Sequence, residues 1–133
     1  MERGIGNIIG ASTPVWEKYA GQVLFAYLFG SSAGSDCGPL SDMDIAVYFA
    51  AYGGPDRFEN GLALHADLCR ALKRDDIDLV VLNGASNIML VEEIVRRGIV
   101  LRDEAPDVRE DFELAALHRA IDFRTHRRAV MGL

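Results

Sequence analysis

Three short apolar runs, with one helical stretch between the second and the third, limit the folds open to this chain. The runs cover residues 22–29, 42–49 and 77–82 and have the composition of buried strands. Residues 56–73 carry apolar side chains at roughly helical spacing, which predicts a helix between the second and third strands. A helical crossover makes the strands that it joins parallel neighbours, whereas the loop between the first two strands permits antiparallel pairing. The pattern therefore predicts a small mixed β-sheet.

The N-terminal segment contains a helix-start signal. Thr13 can cap a helix and Pro14 suits its first turn, so a helix is predicted from this point to near Gly21. Residues 1–12 are rich in glycine and are expected to be loose. They also lack the continuous apolar stretch of a secretion signal.

The C-terminal third is predicted to be mainly helical. Residues 88–97 have a helical pattern that ends at Gly98, residues 99–102 indicate a short strand, and a long charged helix covers residues 106–128. The apolar side of this last helix is predicted to consist of Phe112, Ala115, Ala116, Ile121 and Phe123. The expected fold class is α/β, at the border of α+β, with helices flanking the sheet in a single domain over residues 1–133.

The charge and the hydropathy of the chain argue against two broad classes of function. The net charge is −6 and the sequence pI is about 5.0, whereas a general nucleic-acid binder needs a basic surface to neutralise phosphates. The longest apolar run, residues 23–29, is far too short to span a bilayer. We therefore expect a cytoplasmic protein with no general nucleic-acid binding and no membrane attachment.

Two carboxylates at the start of the second strand carry the clearest chemical signal. Asp42 and Asp44 are two residues apart, so on a strand they project to the same face. Adjacent carboxylates repel each other and are costly to desolvate unless a cation joins them. Oxygen ligands on one face suit Mg²⁺, which takes its remaining ligands from water and from substrate phosphates.

A third acid and a glycine–serine pair extend this candidate site. Asp78 lies in the apolar third strand, which is predicted to lie beside the second. Three carboxylates at one edge can hold two metal ions, and Asp78 can also serve as a general base. The alternative is a solvated strand entrance formed by Asp75, Asp76 and Asp78. Gly30 and Ser31, directly after the first strand, can hold a triphosphate through backbone N–H groups and the hydroxyl.

These residues together resemble the DNA polymerase beta-like nucleotidyltransferase superfamily and, more closely, its minimal nucleotidyltransferase (MNT) branch. The family pattern is GS, ten residues and DxD, which corresponds here to Gly30-Ser31 and Asp42-Met43-Asp44. The flanking stretches LFGS, SDMDIAV and IDLVVLN are also similar, and the resemblance covers residues 23 to about 128. It implies a polymerase beta-like nucleotidyltransferase fold.

The resemblance also implies a role for each residue of the motif. The residues implied to bind two Mg²⁺ ions are Asp42, Asp44 and Asp78. The residues implied to contact the nucleotide are Gly30, Ser31 and Ser41. All six lie in or beside the first three predicted strands.

The MNT branch consists of antitoxins that are paired with HEPN ribonuclease toxins. The resemblance implies an enzyme that transfers AMP from ATP to a tyrosine of the toxin and so silences it. Ser32 departs from the family pattern, because many relatives carry there an arginine or another bulky polar residue that can bind phosphate.

Two other functions fit the same residues. The chain could neutralise a toxin by masking it, with an idle active site, although unused buried carboxylates destabilise a fold. It could instead modify a small hydroxyl compound such as an aminoglycoside. The chain is short for that reaction and would need a dimer or a partner to complete the pocket. A homo-oligomer or a hetero-oligomer is compatible with each function.

The last predicted helix carries a basic cluster in an otherwise acidic chain. Its members are Arg119, Arg124, Arg127 and Arg128. A solvated helix face is the simplest interpretation, and a contact for ATP phosphates or for an acidic partner is the alternative. The three histidines, His65, His118 and His126, are assigned no catalytic role.

Overall fold

The computed structural model describes residues 3–30, 42–50 and 56–131. Helices and strands follow one another along these residues in the order predicted from the sequence. They are α1 (Arg3–Lys18), β1 (Val23–Phe29), β2 (Met43–Phe49), α2 (Asp56–Leu72), β3 (Ile77–Val81), α3 (Ile88–Arg97), β4 (Ile99–Asp103) and α4 (Pro106–Met131). Apart from the start of α1, the boundaries lie within about three residues of the predicted ones, a normal uncertainty for helix and strand ends.

The strands form one mixed sheet in the order β3-β2-β1-β4. β2 and β3 are parallel, as the helical crossover predicts, because α2 returns the chain to the same end of the sheet. β1 is antiparallel to β2 and also to β4. The predicted fold class, a small mixed sheet flanked by helices, is therefore confirmed.

The two faces of the sheet are covered by different helices. Alternation along β2 directs Met43 and Ile45 into a core that they share with α1 and α2. Ala46 and Tyr48 point the other way, into a second core formed with α3 and α4. By the same alternation, Asp44 lies on this second face.

α1 begins at Arg3 and not at Thr13, so the expectation that residues 1–12 are loose is wrong for residues 3–12. Ile8, in this early part of the helix, is 7% exposed and packs into the first core. Helix stability in proteins comes mostly from such tertiary packing, which here outweighs the low helix propensity of the glycines.

Two hydroxyl groups hold the middle of α1. Ser12 Oγ donates to the Ile9 carbonyl at 3.1 Å and accepts a hydrogen bond from Trp16 Nε1 at 3.0 Å. Thr13 Oγ1 donates to the same carbonyl at 2.8 Å, so it binds the preceding turn and does not cap the helix. Pro14 therefore lies inside the helix, where it lacks the N–H that would bind the carbonyl four residues before it.

α4 packs on the sheet through a stripe that matches the predicted one only at Phe112 and Ala116. Phe112, Ala116 and Ala120 recur at i, i+4 and i+8 on the side of the helix that faces the second core. The predicted members that are exposed instead are Ala115, Ile121 and Phe123, the last two at 51% and 37%. The prediction was wrong for these three residues because Ala115 and Ile121 lie on other sides of the helix, whereas Phe123 lies beyond the core that the helix covers. Neither α4 nor any other helix in the described ranges is long and apolar enough to cross a membrane.

A close approach explains why α3 ends at a glycine. The Gly98 N–H donates to the Ile94 carbonyl at 2.8 Å, and the backbone φ of −70° is one that any residue can adopt. A Cβ at this position would lie 2.5 Å from the same carbonyl oxygen and 3.3 Å from the Tyr27 Cβ. The close approach of the last turn of α3, with Tyr27 of β1 also nearby, therefore requires the glycine, and a left-handed turn does not.

Candidate active site

The acids predicted to form the active site meet at one end of β2 and β3. Asp44 is the Cα partner of Asp78 in the parallel pair, and of Phe29 in the antiparallel pair with β1. Gly30 follows Phe29 directly, so the turn after β1 borders the acids. Asp42 lies just before the first residue of β2 and is exposed. The structure therefore brings the three predicted aspartates and the predicted glycine to one edge of the sheet.

Asp44 and Asp78 lie side by side, because they are Cα partners on the parallel strands β2 and β3. Burial is the largest cause of the raised pKa of Asp44, followed by the negative charges of Asp78 and Asp42 and by hydrogen bonding with Asp78. The pair is therefore a site where a proton or a cation must compensate crowded negative charge.

The lack of a side chain at Gly30 makes room for Asp44. The φ of Gly30 is +75°, in the left-handed region that glycine adopts at little cost. A Cβ at this position would overlap the Asp44 carboxylate and would lie 3.3 Å from the Asp44 Cγ. Glycine is therefore needed both for the turn and for the space that the carboxylate occupies.

The other predicted nucleotide contacts adjoin Gly30 and Asp42 in the sequence. Ser31 and Ser41 are outside the described residues, and so is Ser32. Their roles stay predictions.

The donor chemistry of the aspartates fits a hard divalent cation. Asp44 and Asp78 present carboxylate oxygens side by side, and these are the ligands that Mg²⁺ prefers. Asp42 is near enough for its charge to raise the pKa of Asp44. A complete cluster is nevertheless not formed: within residues 3–30, 42–50 and 56–131, no group of three or more His, Cys, Asp or Glu side chains could hold a metal ion. The site for two Mg²⁺ ions stays a prediction.

Side chains outside the motif hold the start of β3 and hence Asp78. The His65 ring on α2 donates its Nε2–H to the Ile77 carbonyl at 2.6 Å, since a carbonyl oxygen can only accept. Arg74 binds both carboxylate oxygens of Asp76 at 2.7 Å, so Asp76 is ion-paired and not simply solvated. The short spacing of Arg74 and Asp76 is visible in the sequence, whereas the contact of His65 with Ile77 arises only in the folded chain.

The family described as polymerase beta nucleotidyltransferase matches residues 13–107. This range contains all four strands and the three aspartates. The chain belongs to the polymerase beta nucleotidyltransferase family. It is therefore a nucleotidyltransferase, as the sequence motif predicted. Among curated proteins, no sequence match to this nucleotidyltransferase was found.

Several solved toxin–antitoxin structures contain a chain with the same fold. One, with AMP-PNP, is 25% identical with a TM-score of 0.74, over 93% of this chain and 95% of that chain. A mutant MntA–HpeT structure has 23% identity and a TM-score of 0.74, with the match covering 93% of this chain and 95% of that one. A tri-AMPylated Shewanella oneidensis HEPN toxin in complex with MNT antitoxin gives 24% identity and a TM-score of 0.70, over 96% and 95% of the two chains. The resemblance to the MNT branch is confirmed in the fold.

Proposed function

We propose that this nucleotidyltransferase transfers AMP from ATP to a tyrosine hydroxyl of a cognate HEPN ribonuclease toxin, and so acts as its antitoxin. The observation that carries the proposal is the pairing of Asp44 with Asp78 on neighbouring strands, with the Asp44 carboxylate against Gly30. AMP-PNP in one similar structure supports ATP as the donor, and the AMPylated HEPN toxin in another supports the acceptor. We place the reaction in the cytoplasm, where ATP is abundant.

The proposed transfer divides its tasks among the three aspartates. The acceptor oxygen bonds to the α-phosphorus of ATP, the bond from that phosphorus to the bridging oxygen breaks, and pyrophosphate leaves. Asp42, Asp44 and Asp78 would hold two Mg²⁺ ions, which when bound supply positive charge beside the phosphates. Asp78 is exposed, so an oxygen of its carboxylate can accept the proton of the attacking hydroxyl.

The turn after β1 is assigned to the triphosphate. Gly30 brings the backbone close to Asp44, so phosphates held at the turn would lie beside the carboxylates. Hydroxyls of Ser31 and Ser41 are proposed to bind the same phosphates together with backbone N–H groups. Positioning and charge compensation, with no covalent intermediate on the protein, would supply the rate enhancement.

A label-transfer assay tests the proposal. The chain is incubated with α-labelled ATP, Mg²⁺ and the HEPN-type protein encoded beside its gene. Asp44→Ala is compared with the matched variant Asp111→Ala, which removes an exposed carboxylate on α4. We expect label on a tyrosine of the acceptor with the unaltered chain and with Asp111→Ala, and none with Asp44→Ala.

Each other outcome favours a different function. Transfer by Asp44→Ala at the unaltered rate would refute the catalytic assignment. No label, with the two proteins still co-purifying and the toxin silenced, would favour masking by an antitoxin with an idle site. Label on an aminoglycoside or another small hydroxyl compound, and not on protein, would favour the small-molecule reaction.

A further inference from the structure

The core-facing side of α4 continues beyond the core that it covers. Phe112 and Ala116 pack in the second core, and Ala120, one turn farther along the same side, is fully buried. Farther along, the same side carries Phe123, which is 37% exposed, and Val130, which is 71% exposed. The last turns of α4 therefore present to solvent the side of the helix that is buried in its first half.

Unpaired arginines are concentrated on this part of α4. Arg119, Arg127 and Arg128 form no ion pair within the described part of the chain. Every other arginine whose side chain the structure describes lies within 3.7 Å of a carboxylate. A net charge of −6 means that carboxylates are plentiful, so a shortage of acids does not explain the missing pairs.

Two of these arginines alternate with the exposed apolar residues on one helix face. Arg119, Phe123, Arg127 and Val130 recur at i, i+4, i+8 and i+11, positions that share one side of an α-helix. We call these four residues the distal stripe. Arg128 lies about 100° around the helix from Arg127 and is not part of it.

We propose that the distal stripe is a docking surface for an acidic, partly apolar helix of the partner protein. Cations that alternate with apolar side chains match acids and apolar residues at the same helical spacing on a partner. Arginine and aromatic side chains are also enriched at the centres of protein interfaces. The identity of the partner as the HEPN acceptor rests on the proposed function.

Other occupants fit the distal stripe less well. A second copy of the chain would place Arg119 and Arg127 against the same arginines, and like charges across an interface oppose association. A nucleotide would leave much of the stripe uncovered, because Phe123 and Val130 alone are separated by about two helical turns. An acidic protein segment can cover all four residues.

An ion pair with a buried carboxylate holds α4 in place along the stripe. Arg124 donates to both oxygens of Glu92 on α3, at 2.7 and 2.9 Å, and Arg96 donates to Glu92 at 2.9 Å. Glu92 is 7% exposed and the Arg124 side chain is 42% exposed, so a buried carboxylate of α3 is joined to a surface arginine of α4. A surface that is ordered before binding loses less conformational entropy on docking.

Calorimetric titration of the HEPN acceptor into variants of the chain tests the proposal. All variants carry Asp44→Ala, so that no transfer alters the acceptor during the titration. Arg127→Glu and Phe123→Ser change the stripe, and Arg128→Glu makes the same charge change at the next residue, outside the stripe. We expect Kd to rise by about tenfold or more in the two stripe variants and by about twofold or less in the control. Binding should also weaken with salt, less steeply in Arg127→Glu.

Several results would overturn the proposal. One is that Arg127→Glu and Arg128→Glu weaken binding equally. Another is that neither stripe variant changes binding, and a third is that the chain with the unaltered stripe forms no complex. Dimerisation of the chain alone that Arg127→Glu abolishes would identify a second copy as the occupant instead. Circular dichroism first establishes that each variant is folded. If complex formation needs the stripe but the unaltered chain transfers no label, the docking surface would be supported and the proposed activity would be refuted.

Discussion

Negative charge is crowded where Asp42, Asp44 and Asp78 meet at one end of β2 and β3, which we call the acid edge. Positive charge is left unpaired on the distal stripe. Asp44 and Asp78 are Cα partners on neighbouring strands, and burial together with neighbouring charge raises the pKa of Asp44. Arg119 and Arg127 are exposed and have no ion pair among the residues described. Crowded like charges strain a fold until a cation joins them, whereas exposed charges cost it little in water. The acid edge should therefore respond to small changes of geometry, and the stripe should matter mainly through a partner.

Gly30→Ala is expected to give the largest effect. A left-handed alanine costs about 1–2 kcal/mol, and the added Cβ would displace the Asp44 carboxylate. We expect the free energy of unfolding to fall by about 1–3 kcal/mol. Label transfer should fall by about 100-fold, as a misplacement of about 1 Å can cause. Urea denaturation and initial transfer rates measure the two quantities.

Gly84→Ala is the matched control for this prediction. Gly84 has a φ of +71°, and a Cβ there would meet nothing within 4 Å. In this variant the left-handed backbone should lower the free energy of unfolding, while the rate of label transfer should change little. If both variants lost transfer equally, backbone strain and not the displacement of Asp44 would explain the result.

The Glu92 ion pair shows what happens where an acid and an α4 arginine do meet. Hydrogen bonds, first from Arg124 and then from Arg96, lower the pKa of Glu92 from 4.5 to about 2. The pair therefore stabilises the folded state above about pH 4.5, and this contribution is lost as the pH falls toward 2. We expect Glu92→Gln to reduce the slope of the unfolding free energy against pH in this window. Urea denaturation at a series of pH values measures that slope.

Glu93→Gln is the control at the neighbouring position. Glu93 is exposed and 3.7 Å from Arg97, and such a surface pair contributes little to stability. Its substitution should leave the slope unchanged. Hydrogen bonds, the largest contribution coming from Tyr19, lower the pKa of Asp67 to about 2. Asp67 should therefore maintain part of the slope in Glu92→Gln. If Glu92→Gln kept the same slope as the unaltered chain, this pH dependence could not be assigned to Glu92.

Much of the acid edge could be predicted from the sequence because its parts are local or follow from topology. Apolar composition located β2 and β3, and the helical crossover placed Asp78 beside Asp44. Gly30 was predicted from its position after an apolar run. The overlap of a Cβ with Asp44 depends on the pairing of β1 with β2, so the structure was needed to find it.

The helices were harder to predict because tertiary contacts decide which residues pack. Thr13 is a residue type that often caps helices, yet burial of Ile8 extends α1 past it toward the N-terminus. Phe123 is apolar but exposed because α4 is longer than the core beneath it, and Ile121 is apolar but exposed on the opposite side of the helix. Hydrophobicity alone therefore does not say which apolar residues of a long helix meet the rest of the protein.

Arg127→Gln is expected to give the smallest effect on the isolated chain. The side chain is exposed and unpaired within the described residues, so the free energy of unfolding should change by about 0.5 kcal/mol or less. Arg124→Gln, on the same helix, removes a partner from buried Glu92 and should destabilise the chain more. Urea denaturation of both variants measures the difference. A large loss in Arg127→Gln would mean that the stripe has a partner within the chain, and the contrast with the acid edge would then disappear.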